Sequence, residues 1–113
     1  MKTLKEVCTE LGVSRRAVQG YEEAGLVKAT RKNKYGYLLY NQYAQERIER
    51  IKFLQDLGFS LKEIEQLIDA PKNVLREQLE MQIERLTMEI EQKRATIQKA
   101  RELIKMLGVE DSV

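Results

Sequence analysis

Residues 3–25 read TLKEVCTELGVSRRAVQGYEEAG, and this stretch predicts two short helices joined by a tight turn. Thr3, with Glu6 three positions later, has the form of a capping box, which predicts where the first helix begins. Gly12 is placed to end that helix, because glycine adopts a left-handed backbone without steric cost. Ser14 is a good N-cap for the second helix. Two helices separated by so short a turn are typical of a helix-turn-helix unit.

Apolar residues follow the period of a helix on both sides of the turn. They predict the buried face of the unit, formed by Leu4, Val7, Cys8, Leu11, Ala17, Val18 and Tyr21. Cys8 is the single cysteine and the chain has no histidine. We interpret this thiol as a small buried hydrophobe. The composition excludes an internal disulfide, a zinc site built from the chain's own Cys and His residues, and His-based catalysis. We therefore expect no enzyme activity, no metal and no cofactor.

Residues 26–40 differ in character from the helices before them. Residues 28–34 are polar and basic, whereas residues 35–40, YGYLLY, are rich in aromatic side chains that favour a strand. We predict a small β-hairpin, or wing, with the basic segment at its tip. Tyr35 and Tyr40 are expected to pack this wing onto the helices.

Two further helices are predicted after the wing. Asn41 caps the third helix and Gly58 ends it, while Ser60 and Glu63 form a second capping box that starts the fourth. The apolar positions of the third helix are Tyr43, Ala44, Ile48, Ile51, Phe53, Leu54 and Leu57. Those of the fourth are Leu61, Ile64, Leu67 and Ile68. Pro71 either breaks this pattern or starts the next helix.

From residue 73 to residue 107 the apolar positions repeat every seven residues, which predicts one long helix in a coiled coil. Lys93 is the polar exception in the seam, and Gly108 is placed to end the helix. The a and d positions predicted to form the dimer are Leu79, Ile83, Leu86, Ile90, Ile97, Ala100, Ile104 and Leu107. So long a seam needs a partner helix, and a second copy of the chain is the simplest one. Folding back onto its own domain is the alternative.

Charge is unevenly distributed along the 113 residues, whose net charge is only +2. Six basic residues and two acids fall within residues 11–45, whereas eight basic and eight acidic residues cancel from residue 71 onward. A basic N-terminal part predicts an anionic partner such as double-stranded DNA, and a solvated charge run is the plainer alternative. No apolar run approaches the roughly 20 residues that span a bilayer. No signal peptide opens the chain, so we expect a soluble, cytoplasmic protein with no membrane partner.

Four sequence segments carry a resemblance to a known family. They are LGVS at residues 11–14, YEEAGLV at 21–27, GYLLY at 36–40 and LGFSLKEI at 57–64. In this order the chain resembles the MerR family of bacterial transcription regulators. The resemblance implies a mainly α fold, with a winged helix-turn-helix DNA-binding domain followed by a long helix in an antiparallel coiled-coil dimer. The heptad pattern by itself gives no helix direction, and Ile at a with Leu at d suits a parallel pair.

The chain divides accordingly into three parts. Residues 1–70 form the predicted DNA-binding domain, residues 71–108 the dimerisation helix and residues 109–113 a short tail. Relatives with effector domains carry them after the coiled coil, and no small-molecule effector domain is evident here. Either the protein has none, or the chain is part of a longer protein, or a partner carries the signal.

Four positions depart from the family pattern. Gln19 and Gly20 stand where the family has an arginine and a tyrosine that contact DNA, which leaves the operator preference open. Leu38 replaces an arginine in the wing, and Ala44 replaces an aspartate at the start of the third helix. Glycine within a helix also costs about 1 kcal/mol relative to alanine.

Polar residues of the second helix and the wing are the candidates for DNA contact. Arg15 and Arg16 lie in the first turn of that helix, where arginine binds guanine O6 and N7 or a phosphate. Gln19 suits adenine, a phosphate or no contact at all. The wing cations suit the DNA backbone or minor groove, and Tyr37 a phosphate. The full predicted set is Ser14, Arg15, Arg16, Gln19, Arg31, Lys32, Lys34 and Tyr37.

These features together predict a homodimeric, sequence-specific transcription regulator that binds a near-palindromic promoter operator. By resemblance, it distorts that DNA and acts with RNA polymerase at the promoter, as an activator or a repressor. A coiled-coil adaptor whose N-terminal domain binds protein rather than DNA is the alternative.

Overall fold

The structure, a computed structural model, describes residues 1–111 of the chain, with side chains described through residue 108. The elements are β1 (Lys2–Thr3), α1 (Leu4–Leu11), α2 (Arg15–Glu23), β2 (Arg31–Lys32), β3 (Leu38–Tyr40), α3 (Gln42–Asp56), α4 (Leu61–Leu67) and α5 (Lys72–Asp111). They divide into two compact units, one spanning Met1–Pro71, which we call the head, and one from Lys72 onward. The predicted mainly α winged helix-turn-helix fold is confirmed.

Side-chain caps set where four helices begin, at the residues that the sequence predicted. Thr3 and Ser60 form capping boxes at α1 and α4, in which the N-cap hydroxyl accepts from the backbone N–H three residues later. The Ser14 hydroxyl accepts from Ala17 N at 3.0 Å, and Asn41 Oδ1 accepts from Ala44 N at 2.9 Å. Each cap satisfies a backbone donor that has no partner inside its helix.

A left-handed glycine at residue 12 produces the tight turn between α1 and α2. Gly12 has φ +66°, and its N–H donates to the carbonyl of Cys8. Val13 N donates to the same carbonyl at 3.2 Å. The chain therefore reverses within three residues and brings α2 against α1, as the sequence predicted.

One apolar face from each of the four head helices forms the core. Its members include Val7, Val18, Tyr21, Ala44, Ile48, Ile51, Leu54, Ile64 and Leu67. Tyr43 and Phe53, predicted as apolar positions of α3, are instead mostly exposed, Phe53 at 60%. Both lie next to a stripe residue along the chain, and one position turns a side chain about 100° around a helix of 3.6 residues per turn. Cys8 is half-buried rather than buried, and its partial burial raises the pKa of the thiol.

The wing belongs to a three-stranded antiparallel sheet in the order β1-β3-β2. Its hairpin was predicted, but β1 was missed, because a two-residue strand carries no apolar alternation. Lys2 pairs with Tyr40 and Thr3 with Leu39. The sheet therefore fastens the N-terminus of the chain to the base of the wing.

The helix α5 runs for 40 residues, about 60 Å at 1.5 Å per residue. It begins directly after Pro71, and it continues through Gly108, so the predicted helix end at Gly108 is wrong. Glycine in a helix costs only about 1 kcal/mol relative to alanine, so a single glycine does not have to end a long helix. Of the predicted tail, residues 109–111 belong to the helix, and residues 112–113 lie outside the described residues. Within residues 1–111, no helix combines the length and apolar character needed to cross a membrane.

Two glycines in the head should respond in opposite directions to alanine. Gly12→Ala forces a Cβ into a left-handed conformation and should lower the free energy of unfolding by about 1–2 kcal/mol. Gly20→Ala places a Cβ 4.0 Å from Leu61 Cδ1, an ordinary contact, and should raise that free energy by about 0.5–1 kcal/mol. Urea unfolding followed by circular dichroism measures both. If both variants changed the free energy of unfolding in the same direction, the conformations given for Gly12 and Gly20 would be contradicted.

Candidate nucleic-acid interface

The inward face of α2 determines which of its residues point to solvent. Val18 and Tyr21 are buried, while Arg15, Arg16 and Gln19 are exposed. Ser14 is exposed as well and caps the helix start. The four residues predicted for DNA contact on this helix are therefore all accessible to a ligand.

The tip of the wing is a tight turn closed by one asparagine. Asn33 Oδ1 accepts from the backbone N–H groups of Tyr35 and Tyr37, at 2.9 and 3.0 Å. Asn33 N donates to the carbonyl of Tyr37 at 2.9 Å. These bonds replace strand pairing at residues 35–37, so β3 begins only at Leu38 rather than at residue 35.

This turn points both of its tyrosines to solvent. Tyr35 is 71% exposed, so the prediction that it packs the wing onto the helices is wrong. Its ring instead lies beside the Lys34 ammonium, 5.1 Å from the ring centroid. Tyr37 is also exposed, together with Arg31 and Lys32 on β2. All eight residues predicted to contact DNA are thus exposed.

A buried tyrosine bonds the wing to α2. Tyr40 is fully buried, as predicted, and its hydroxyl donates to Glu22 Oε1 at 2.7 Å. Burial and this carboxylate raise the pKa of Tyr40 far above its usual range, so the hydroxyl remains a donor. Tyr21 makes a second link, from its hydroxyl to Gln55 Oε1 of α3 at 2.6 Å. One hydrogen bond therefore joins the wing to α2, and the other joins α2 to α3.

Sequence reasoning missed the roles of Glu22 and Gln55. The signal available for Glu22 was an acid inside an otherwise basic stretch. The Glu22 carboxylate accepts the hydrogen bond from the Tyr40 hydroxyl. No sequence signal marked Gln55, because its bond joins residues 34 positions apart.

The candidate interface carries several basic side chains that have no acidic partner in the described part of the chain. Within residues 1–111, five exposed cations of α2 and the wing form no ion pair with a carboxylate: Arg15, Arg16, Arg31, Lys32 and Lys34. Unpaired surface cations attract a polyanion, and each phosphate that they neutralise releases counterions. The same part of the chain contains no group of three His, Cys, Asp or Glu residues placed to hold a metal ion.

A second candidate surface lies on α5. Most of the predicted seam positions are exposed, with Leu79 half-buried. The large exposed side chains among them are Ile83, Leu86, Ile90, Ile97, Ile104 and Leu107. An apolar row of this length is typical of an interaction surface.

The winged helix-turn-helix head, with Arg15 and Arg16 exposed in the first turn of α2, has the fold of a DNA-binding module. The family of "MerR HTH family regulatory protein" matches residues 2–71, and "MerR, DNA binding" matches residues 45–107. The chain belongs to the MerR family, which confirms the resemblance drawn from the sequence.

Individual relatives agree with this assignment. The chain is 35% identical over 63 residues to the mercuric resistance operon regulatory protein of Bacillus cereus, covering 56% of the chain and 48% of the relative. It is 32% identical to the "Probable heavy metal-dependent transcriptional regulator" of Haemophilus influenzae, covering 85% of the chain and 80% of the relative. Against several curated relatives, among them the nodulation protein NolA of Bradyrhizobium diazoefficiens, the chain spans half of their length or less.

A solved structure is similar over nearly the whole chain. The N-terminal part of the Bacillus subtilis multidrug transporter activator, MtaN, matches with a TM-score of 0.80 and 28% sequence identity. The match covers 92% of this chain and 98% of MtaN.

Removing the Tyr40 hydroxyl should destabilise the head while leaving the ring packed. Tyr40→Phe deprives Glu22 of its donor, and hydrogen bonds to charged groups contribute about 1.5–3 kcal/mol. Because Glu22 is only half-buried and water partly replaces the donor, we expect a loss of about 1 kcal/mol in chemical denaturation. Tyr35→Phe is the control, since this exposed hydroxyl should change stability by less than about 0.5 kcal/mol. Equal stabilities of the two variants would contradict the role of the bond.

Proposed function

We propose that the chain is a homodimeric transcription regulator that binds a near-palindromic promoter operator in double-stranded DNA. The observation that carries this proposal is the outward, unpaired set of cations on α2 and the wing. Membership of the MerR family supports it. In this proposal residues 1–70 bind DNA, and the helix that follows joins two copies.

Each head would place α2 in a major groove, with Arg15, Arg16 and Gln19 facing the base edges and phosphates. The wing would lie against the flanking backbone. Leu38 stands where the family has a wing arginine, but Lys32 is its partner in the sheet register. Antiparallel partners project from the same face of a sheet, so Lys32 supplies a cation on the face from which the arginine is missing.

The exposed row of a and d side chains on α5 supports a coiled-coil dimer. A seam of this length buries its apolar side chains only against another helix. Two copies related by a two-fold axis would present two α2 helices to two half-sites, which makes the operator near-palindromic. The antiparallel direction rests on the family alone.

Control of transcription would follow from the shape of the bound promoter. We propose that the dimer distorts its operator, because bending or untwisting DNA costs energy that added protein contacts repay. RNA polymerase at the same promoter would then respond to the altered geometry. Activation and repression are both open to such a mechanism.

Neutralising the two arginines of α2 should weaken DNA binding. The probe is the duplex consensus that the wild-type protein selects from a random pool. The double variant Arg15→Ala/Arg16→Ala should bind it at least about tenfold more weakly, with a salt slope lower by roughly 0.9 for each phosphate that is no longer neutralised. Arg101→Ala/Lys105→Ala removes the same charge from α5 and is the control. Fluorescence anisotropy across a salt series measures both.

Three outcomes of the selection and the salt titration would contradict the DNA proposal. They are the absence of a selected consensus, binding that salt does not weaken, and equal affinities of the two double variants. A selected consensus without palindromic symmetry would contradict the dimer. A protein that binds another protein and no duplex would favour the adaptor alternative.

A charge placed in the α5 seam should separate the dimer. Ile90 lies at an a position and Met88 at an f position, and their exposures in the single chain are similar, 52% and 60%. Ile90→Lys should shift the sedimentation equilibrium toward monomer by at least about tenfold in the dissociation constant, because a lysine at a costs stability. Met88→Lys should leave it unchanged. Equal effects of both substitutions would show that the predicted seam is not the interface.

A further inference from the structure

The side chain of Arg47, on α3, joins three parts of the head. Its Nε donates to the carbonyl of Leu26 at 2.6 Å, in the loop that follows α2. Its two terminal nitrogens donate to the two carboxylate oxygens of Asp69, at 2.7 and 3.2 Å. The side chain is only 17% exposed, and the Tyr43 ring lies 5.9 Å from the guanidinium.

This guanidinium completes a bonded path from α2 to the end of the head. Leu26 N donates to the carbonyl of Tyr21, in the last turn of α2, at 3.0 Å. Leu26 then accepts from Arg47, and Arg47 holds Asp69. The hydrogen bonds of this path are 2.6 to 3.2 Å long, so the position of Asp69 follows that of α2.

Asp69 lies close in sequence to the start of α5. Only Ala70 and Pro71 separate it from Lys72, where α5 begins. Proline has a fixed φ and restricts the residue before it to extended conformations. The residue whose carboxylate Arg47 holds is therefore joined to α5 by a connection of two residues, Ala70 and Pro71.

We propose that Arg47 is a positioning residue that sets the separation at which the two heads of a dimer engage their half-sites. The inference rests on the proposed DNA-binding function and extends it to the spacing of the operator. Arg47 touches no DNA in this mechanism. It fixes the point at which the chain leaves the head relative to α2.

The chemistry of the contact suits this role better than that of an ordinary surface ion pair. An isolated exposed pair contributes little, because water screens it and two long side chains lose freedom. Here the fork of the guanidinium grips both carboxylate oxygens, while Nε fixes its plane on a backbone carbonyl. The bond from Arg47 lowers the pKa of Asp69. Lysine lacks the planar fork and cannot make these contacts together.

Half-site spacing is the property to measure. The probes are duplexes with the palindromic half-sites selected by the wild-type protein, at the selected spacing and with one or two base pairs added or removed, and a duplex with one half-site. Two-site binding gains affinity only when geometry allows both contacts at once. Arg47→Lys should therefore bind the selected spacing about tenfold more weakly, bind the single half-site within about twofold of wild type, and discriminate less between spacings.

Two further variants keep the test decisive. Asp69→Asn changes a side chain that is 74% exposed; it should flatten the spacing profile in the same way without disturbing the core. Lys52→Ala is the matched control, because it removes an ion pair with Asp56 within the same helix, at 3.1 Å, that lies outside the path. It should leave the profile unchanged.

The outcomes separate the two proposals. Two results would overturn the positioning role alone. One is an equal loss of affinity on the single half-site and the full operator, and the other is a spacing profile that Arg47→Lys and Asp69→Asn both leave unchanged. Failure of the wild-type protein to bind any duplex would overturn the DNA-binding proposal and this inference with it. The role of Arg47 is supported if Arg47→Lys and Asp69→Asn both flatten the spacing profile while Lys52→Ala behaves like wild type.

Discussion

The packing of α2 is the constraint on which the rest of the head depends. Val18 and Tyr21 must be buried, because a unit of about 70 residues has few apolar side chains to spare for its core. Once they face inward, the rotation of the helix is fixed, and the arginines of its first turn face solvent. The hydroxyls of Tyr21 and Tyr40 then bond α2 to α3 and to the wing. The same two aromatic side chains thus supply core volume and positional links.

Local signals explain why so much of the fold was predictable. A cap such as Thr3 or Ser14 acts within four residues, and the left-handed Gly12 acts within its own turn. These features depend on neighbours in sequence, which the amino-acid order displays directly. The order of the helices followed from these signals, and the long helix α5 followed from its heptad repeat.

Most of the errors concern properties that depend on neighbours in space. Phe53 and Tyr43 are apolar, yet the narrow buried stripe of α3 passes beside them. Tyr35 is aromatic, yet the Asn33 turn directs it to solvent. The hydrogen-bond partners of Tyr40 and Arg47 were not predicted for the same reason, because each partner is distant in sequence. Residue type alone decided none of these positions. By contrast, the exposure of the five charged residues predicted to contact DNA was predictable, because charged side chains rarely become buried.

The departures from the family pattern sort by burial, and this explains how the chain keeps the fold while differing at the proposed interface. Gln19 is exposed and Leu38 half-buried, so they alter what the head presents rather than how it packs. Ala44 is the exception, since it is buried at the first turn of α3. An alanine there needs no polar partner, and its N–H already donates to the Asn41 cap. An aspartate side chain at the same buried position would need a donor or a cation of its own. The substitution at the core therefore leaves no buried polar group to satisfy, whereas those nearer the surface change which side chains the head presents to solvent.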